Sequence, residues 1–475
     1  MIPQAEFGWS RPDNRRLILA VCLGQAGLIA LPAVWSLKYV WLLSSLLLAL
    51  ALTLFSVQRT LLLLVFLDIV LPDKVLLLLR LPGGLHLQES LLLAALVFAL
   101  IDLIYWRGLA VRKSAGDLPL LLFLGAVALS GFVGAVHHNS ASLILRDIRY
   151  PLYYAVFFLV TNFAGEKAAV KGFLPVLVGA GLVVSLEYIV EFVGSLDLAA
   201  GSSFVRVARL EGIALPVALL LIINQFVHDP ERYGRRVLVA LFLGIGLGFV
   251  LTMGRGMWVA FGVGLITTVW LHYLSQPAAR RRAGRTALLV LGILAVLVGT
   301  AFFFQRLTGA TIGAHALARS RSFVDYEGDV HILGRFFSYA AALEAIARHP
   351  LLGNGQGATL VTLTFNQEIG TFEPTTSWTV DSLYLTLLLK MGLVGLAAFG
   401  WLSLRVLRLA YRTFARCRDN QTRAFAGGAV AVLVAMATLG LSDGSMVNGR
   451  FAMVFGVLYG LIAVVGRGEA SSPEQ

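Results

Sequence analysis

The feature that most constrains this chain is a rhythm of apolar spans. Runs of about 15–22 largely uncharged residues recur from Leu17 to Val465, and all but one of the polar breaks between them are short. Inside hydrocarbon a backbone has no water to bond, so only helices or closed barrels can cross it. These runs are too long and too evenly apolar for barrel strands. The chain is therefore expected to be an all-α polytopic membrane protein. Its composition agrees: only 13% of its 475 residues are charged, about half the usual share of a soluble domain.

Spans are expected at about 17–36, 39–57, 60–80, 89–106, 118–136, 150–164, 172–192, 210–227, 236–252, 257–274, 286–304, 382–404, 424–441 and 451–466. That gives about 14 helices, with 12 or 13 as alternatives. The third is interrupted by Pro72-Asp73-Lys74 and is a candidate re-entrant segment. Arg11, Arg15 and Arg16 before the first run resemble a signal-peptide leader, but the long polar leader and the immediate second span favour an uncleaved first helix. The expected organisation is residues 1–304 as helices 1 to 11, 305–381 as a folded outer loop domain with helices, 382–466 as the C-terminal helices, and 467–475 as a cytoplasmic tail. Two cysteines, Cys22 and Cys417, offer neither a disulfide framework nor a metal site.

Orientation follows from Lys and Arg, which accumulate on the cytoplasmic side of short loops. Arg107, Arg112 and Lys113, Arg232, Arg235 and Arg236, Arg280 to Arg285, and Arg405 to Arg423 all fall on the side of the N-terminus. Roughly 23 basic residues lie there, against about 9 opposite. The net charge of +12 is thus read as topological bias, not as a nucleic-acid surface. Both termini are expected inside, and residues 305–381 outside.

Several arginines break the bias. Arg206 and Arg209 open the eighth span from the outside, Arg255 sits in the tight turn Gly254-Arg255-Gly256, and Arg335 lies in the outer loop. Arg146 and Arg149 precede the sixth span on the same face. Arginine at membrane depth is costly and tends to be functional. Snorkelling to lipid headgroups is the plain alternative, and it suits Arg146 and Arg149 as well as function does. It suits Arg255 less, since a Gly-Arg-Gly turn has little slack. Arginines converging on one face fit a phosphate or pyrophosphate.

The long polar interval needs a reason, because long loops are usually functional or disordered. Phe336 to Ala347 is patterned as an amphipathic helix. It should stop at Arg348-His349-Pro350, and Gly353, Gly355 and Gly357 should allow tight turns after it. Asp381-Ser382-Leu383-Tyr384 then opens an apolar span carrying Gly392 and Gly395.

Gly334-Arg335, the helix, Pro350-Leu351-Leu352-Gly353-Asn354-Gly355 and Gly392-x-x-Gly395 together resemble the O-antigen ligase and polymerase superfamily. Arg255-Gly256 and Arg209-x-x-Gly212 are similar to its upstream turns. The resemblance covers roughly residues 205–400. It implies an integral-membrane glycosyltransferase of the GT-C type, in the bacterial cytoplasmic (inner) membrane, with its signature in a large periplasmic loop. The ligases carry a His-Asn or His-Ser pair eleven residues before the first glycine of the G-x-x-G, where this chain has Asp381-Ser382. An Asp there resembles the polymerase and exopolysaccharide members.

Chemistry on that face has no ATP, so the donor must carry its own energy, as a polyprenyl-pyrophosphate-linked glycan does. Transfer needs cations on the developing pyrophosphate charge and a base for the incoming hydroxyl. Arg255 and Arg335 are the expected catalytic cations. Asp381 is the expected base, at a boundary where partial desolvation could raise its pKa. Its alternative role is helix N-cap. Arg206, Arg209, His331, His349 and Tyr384 are the expected substrate-binding residues, with the histidines as alternative bases or plain loop and helix-end residues. No D-x-D or His/carboxylate cluster suits a cation, so no metal and no cofactor is expected. The expected partners are the donor, a glycan or lipid-linked acceptor, and membrane lipids. Lys390, at membrane depth, should pair with Asp68, Asp102, Glu187 or Glu191. The rival functions are an O-antigen ligase acting on a lipid A core or other acceptor, and a secondary transporter or flippase. The latter should place its critical charges near the midplane of broken helices, whereas the unusual arginines are expected at the outer surface beside a folded loop; no internal repeat is visible either.

Overall fold

The computed structural model describes residues 57–72, 112–195, 210–252, 254–275, 330–366, 370–444 and 448–471, with scattered residues between 89 and 104 and between 292 and 306. The expected spans at 17–36 and 39–57, and most of those at 89–106 and 286–304, lie outside them. The chain divides into two compact units, one of residues 1–112 with 162–164 and one of 113–161 with 165–475. In the first, α1 (Val57–Val70) stops two residues short of Pro72, where the ring forbids continuation.

In the second unit, α2 (Asp117–Val136), α5 (Glu166–Ser195), α8 (Arg255–Ser275), α10 (Leu383–Arg416), α11 (Asn420–Leu439) and α12 (Gly449–Ser471) contain the six described stretches long and apolar enough to cross a membrane. They match expected spans to within a few residues at most ends. Between them lie the shorter α6 (Ala214–His228) and α7 (Arg235–Leu251). Small residues let the backbones close in, as membrane packing requires. A Cβ on Gly428 would stand 3.0 Å from Leu221 of α6, and one on Gly427 would stand 3.1 Å from Phe414 of α10.

The sixth expected span needs correction. In place of one helix over 150–164, the chain forms α3 (Ala141–Leu152), a 3-10 turn at Tyr153–Ala155, and α4 (Val156–Phe163). Pro151 lacks an N–H, so the helical ladder loses a bond there and the chain tightens into the 3-10 turn. What looked like the polar approach to a span is an amphipathic helix of its own, carrying Arg146, Asp147 and Arg149.

The polar interval is folded where it is described. Its helix α9 (Val330–Arg348) ends before Pro350 as expected. The sequence reading missed a hairpin: β1 (Leu360–Asn366) pairs antiparallel with β2 (Thr371–Ser377), in register from Leu360↔Ser377 to Asn366↔Thr371. Ala342 of α9, Leu360, Val380 and Leu389 of α10 form a small buried core beneath it.

Candidate functional site

The site is built around a break in α10. At Gly392 the backbone takes φ 61° and ψ −162°, a region open to glycine. In an intact helix Leu393 N–H would bond Leu389 O, and Val394 N–H would bond Lys390 O. The glycine turn after α9 takes both halves of that exchange. Leu393 and Val394 donate to Pro350 O and Leu351 O at 2.9 and 3.2 Å. In return, Asn354 N–H and Gly355 N–H donate to Leu389 O and Lys390 O at 2.7 and 3.0 Å. A broken ladder inside a membrane protein survives only when protein satisfies it, and here it is satisfied bond for bond.

The turn is also wedged against α2. Gln356 N–H donates to Ser130 O at 2.9 Å, and Asn139 Nδ2 donates to Asn354 O and Gln356 O. Gly355 has φ 84°, and a Cβ there would collide with the backbone of Gly134. The turn could have been an anion cradle. It is not, because the amides of Gly353, Gly355 and Gly357 bond His349 O, Lys390 O and Asp147 Oδ2.

Asp147 is the residue that sequence reasoning missed. Lys390 pairs with it at 2.6 Å, in place of the expected Glu187 or Glu191; Asp102, another expected partner, lies outside the described residues. The side chains are 3% and 1% exposed. Gly357 N–H bonds the same Oδ2 at 2.8 Å. Arg146 Nε lies 3.5 Å from Oδ1, and the Arg146 guanidinium covers the Trp378 ring at 4.2 Å. The only signal in the sequence was an acid inside an amphipathic segment, Arg146-Asp147-x-Arg149. Nothing there names a partner 243 residues away.

Two of the three expected catalytic residues meet just ahead of α10. Arg335 Nε and Asp381 Oδ2 are 4.0 Å apart, with side chains 43% and 59% exposed. One helical turn beyond Arg335, Tyr339 donates its hydroxyl to Asp381 O at 2.9 Å and to Leu441 O at 3.3 Å. Burial pushes the Tyr339 phenol above its ordinary value; Arg335 opposes the shift while Asp381 and Asp443 add to it. Tyr339 is thereby held as a donor. Asp381 does not cap α10. Ser382 does, its side chain accepting from Leu385 N–H at 3.5 Å and donating to Gly440 O at 3.3 Å. The expected desolvation is also absent, since the Asp381 carboxylate stands largely in the open.

Arg255 begins α8. Its neighbour Gly256 abuts Ser442, with a would-be Cβ 2.9 Å from the hydroxyl. Gly444, two residues on, presses on Val380 O, next to Asp381. One turn, Gly440 to Gly444, therefore touches the bases of α8 and α10 and, through Leu441, Tyr339 of α9. Tyr384 donates to Ala437 O at 2.7 Å, which ties α10 to α11. His349 lies at the far end of α9, roughly 20 Å along the axis from Arg335, its ring 4.6 Å from that of His137. Arg206, Arg209 and the side chain of His331 lie outside the described residues. Among the described residues, no group of three or more His, Cys, Asp or Glu could hold a metal ion.

Residues 238–400 match the family model described as O-antigen ligase. No curated protein matches the chain. The matched stretch holds Arg255, Arg335, the glycine turn, the hairpin, Asp381 and the break in α10. Asp147 lies outside it.

Proposed function

We propose that this chain, which carries an O-antigen ligase family domain across residues 238–400, is a membrane glycosyltransferase of the polymerase type. It moves glycan from a polyprenyl-pyrophosphate-linked donor to a glycan acceptor on the outer face of the cytoplasmic membrane. About 14 helices cross that membrane, both termini are cytoplasmic, and residues 305–381 face the periplasm. In the reaction, the acceptor hydroxyl gives its proton to the Asp381 carboxylate as its oxygen attacks the anomeric carbon. The bond from that carbon to the pyrophosphate oxygen breaks, and Arg335 and Arg255 take up the charge left on the pyrophosphate. Arg206, Arg209, His331, His349 and Tyr384 belong to substrate binding, and no metal takes part.

The observation that carries this reading is the meeting of Arg335 and Asp381, half-exposed beside Tyr339, within the family-matched segment. A charged pair held loosely in the open leaves both groups available to a ligand. The ligase reading takes its support from the description of the matched family; Asp381, where ligases carry His, favours polymerisation.

The test is glycan transfer by the purified protein from a polyprenyl-pyrophosphate donor. Arg335→Ala should abolish product at unchanged expression, Arg335→Lys should recover little of it, and chelator should change nothing. Near-normal transfer by Arg335→Ala would reduce that residue to a headgroup contact. Topology is tested by thiol labelling of intact cells. A membrane-impermeant reagent should reach Glu373→Cys on the hairpin and should spare Cys417. Labelling of Cys417 would invert the orientation and remove the mechanism.

A further inference from the structure

The helix that carries Arg335 turns an apolar stripe away from the protein. Leu333, Phe336, Ala340, Leu343 and Ala347 recur every three or four residues along α9, which sets them on one face. All five are exposed, Phe336 and Leu343 by 61% and 55%. The opposite face does the packing, through the buried Ser338 and Ala342. Leu351, at 64% exposed, and Leu352 carry the stripe past the end of the helix. A contiguous exposed apolar surface of this kind marks an interaction site.

Depth identifies what covers it. α2 and α10 are long and apolar enough to cross a membrane, and the turn after α9 is bonded into both below their outer ends. Gln356 N–H bonds Ser130 O of α2, which ends at Val136; six helical residues are about 9 Å. Leu393 of α10 bonds Pro350 O, and that helix starts at Leu383; ten helical residues are about 15 Å. Half of a hydrocarbon core is about 15 Å thick. The far end of α9 and its turn therefore lie within the outer half of the membrane. Its other end stays above, where Arg335 meets Asp381 just ahead of α10. Leu351 and Leu352 adjoin Leu393 and Val394, which are likewise exposed. The stripe is thus continuous with the outward side of a membrane-spanning helix. Glu344 and Arg348 pair with each other on its flank. Helical side chains lean toward the N-terminus, here toward the membrane surface, so this pair can snorkel to the headgroups.

We propose that α9 and the glycine turn form a re-entrant element in the outer leaflet, the stripe from Phe336 to Leu351 lying against lipid acyl chains. Insertion holds Arg335, at the upper end of the stripe, near the level of the headgroups. The element needs α2 and α10 to span a bilayer, and it takes its leaflet from the orientation proposed above. It does not depend on which reaction the site performs.

The test is spin labelling of the full chain, with Cys22→Ser and Cys417→Ser, in bilayers of phosphatidylethanolamine and phosphatidylglycerol. Labels are placed singly at Phe336→Cys, Leu343→Cys and Leu351→Cys. Leu129→Cys, exposed on α2, is the lipid reference, and Glu373→Cys, exposed on the hairpin, is the water reference. Oxygen concentrates in hydrocarbon, whereas a charge-neutral nickel chelate stays in water. Relaxation by oxygen should exceed relaxation by the chelate several-fold at Leu343 and Leu351, as at Leu129. The ratio should climb from Phe336 to Leu351 and reverse at Glu373. Chelate-dominated relaxation at Leu343 and Leu351 would place the stripe in water and overturn the insertion. Labels shielded from both agents, with dipolar broadening that vanishes on dilution with unlabelled protein, would put a second copy on this face and overturn it equally. The readout requires no glycan transfer, so the transferase reading can fail while the insertion stands.

Discussion

Two ion pairs in this molecule, one anchored within α10 and one just ahead of it, are built in opposite ways. Asp147 and Lys390 are nearly sealed from solvent, 2.6 Å apart, with Gly357 N–H completing the carboxylate's shell. Arg335 and Asp381, just ahead of α10, are 4.0 Å apart and about half exposed. The first geometry suits a joint and the second a workplace. A buried pair cannot give up a partner without leaving a charge stranded, whereas an exposed one can exchange its partner for substrate at little cost. The two also stand to each other as support and site. The Asp147–Lys390 latch fixes α3, the glycine turn and the break in α10 together, and those elements set where Asp381 stands.

Removing one side of the latch should have the largest effect on stability. Lys390→Met strands Asp147 and should cost about 3–5 kcal/mol, seen as a large drop in the thermal unfolding midpoint of the purified protein. Lys390→Met/Asp147→Leu should recover much of that loss. If Lys390→Met unfolds at the wild-type temperature, the latch is no joint.

The caps should separate two adjacent residues. Ser382→Ala should lose about 1 kcal/mol of stability, because Ser382 holds the first turn of α10. Asp381→Ala, beside it, should stay within about 0.5 kcal/mol, as exposed substitutions do. The reverse order would return the cap to Asp381.

Tyr339 should give the smallest effect on pH dependence, and only in alkali, beside a pH-independent loss of about 1 kcal/mol from its hydrogen bonds. Its folded-state pKa lies above the ordinary phenol value, so its contribution is complete below that ordinary value. The contribution is lost as pH rises through the folded-state value. Tyr339→Phe should therefore flatten the alkaline fall in stability and leave its pH dependence near neutrality unchanged. A changed slope near pH 7 would point to another group.

Much of this was legible in the chain. The apolar rhythm marked α2, α5, α8, α10, α11 and α12, because hydrocarbon imposes length and composition on a helix that crosses it. Pro350 marked the end of α9, and the positive φ of Gly353, Gly355 and Gly357 follows from a turn only glycine fits easily. Three things were hidden. The hairpin was short, and Leu360 to Phe365 alternates too briefly to stand out beside a helical pattern. Asp147 had no visible partner, since one sequence carries no record of which charges meet across 243 residues. The cap fell to Ser382 because its neighbour Asp381 is equally suited by type, and only geometry separates them. The pairing of Arg335 with Asp381 was expected as a shared site and is a contact.

The central claim is that Asp381 works as a base and is not part of the scaffold, and Asp381→Asn tests it most directly. The measurement is the rate of glycan transfer from a purified polyprenyl-pyrophosphate donor, for wild type, Asp381→Asn and Asp381→His at matched thermal stability. A base needs a carboxylate, so the Asn variant should lose on the order of 10²–10⁴ in rate while still binding donor. The His variant should recover part of the loss, since imidazole can accept the same proton. An Asn variant as fast as wild type would contradict the account.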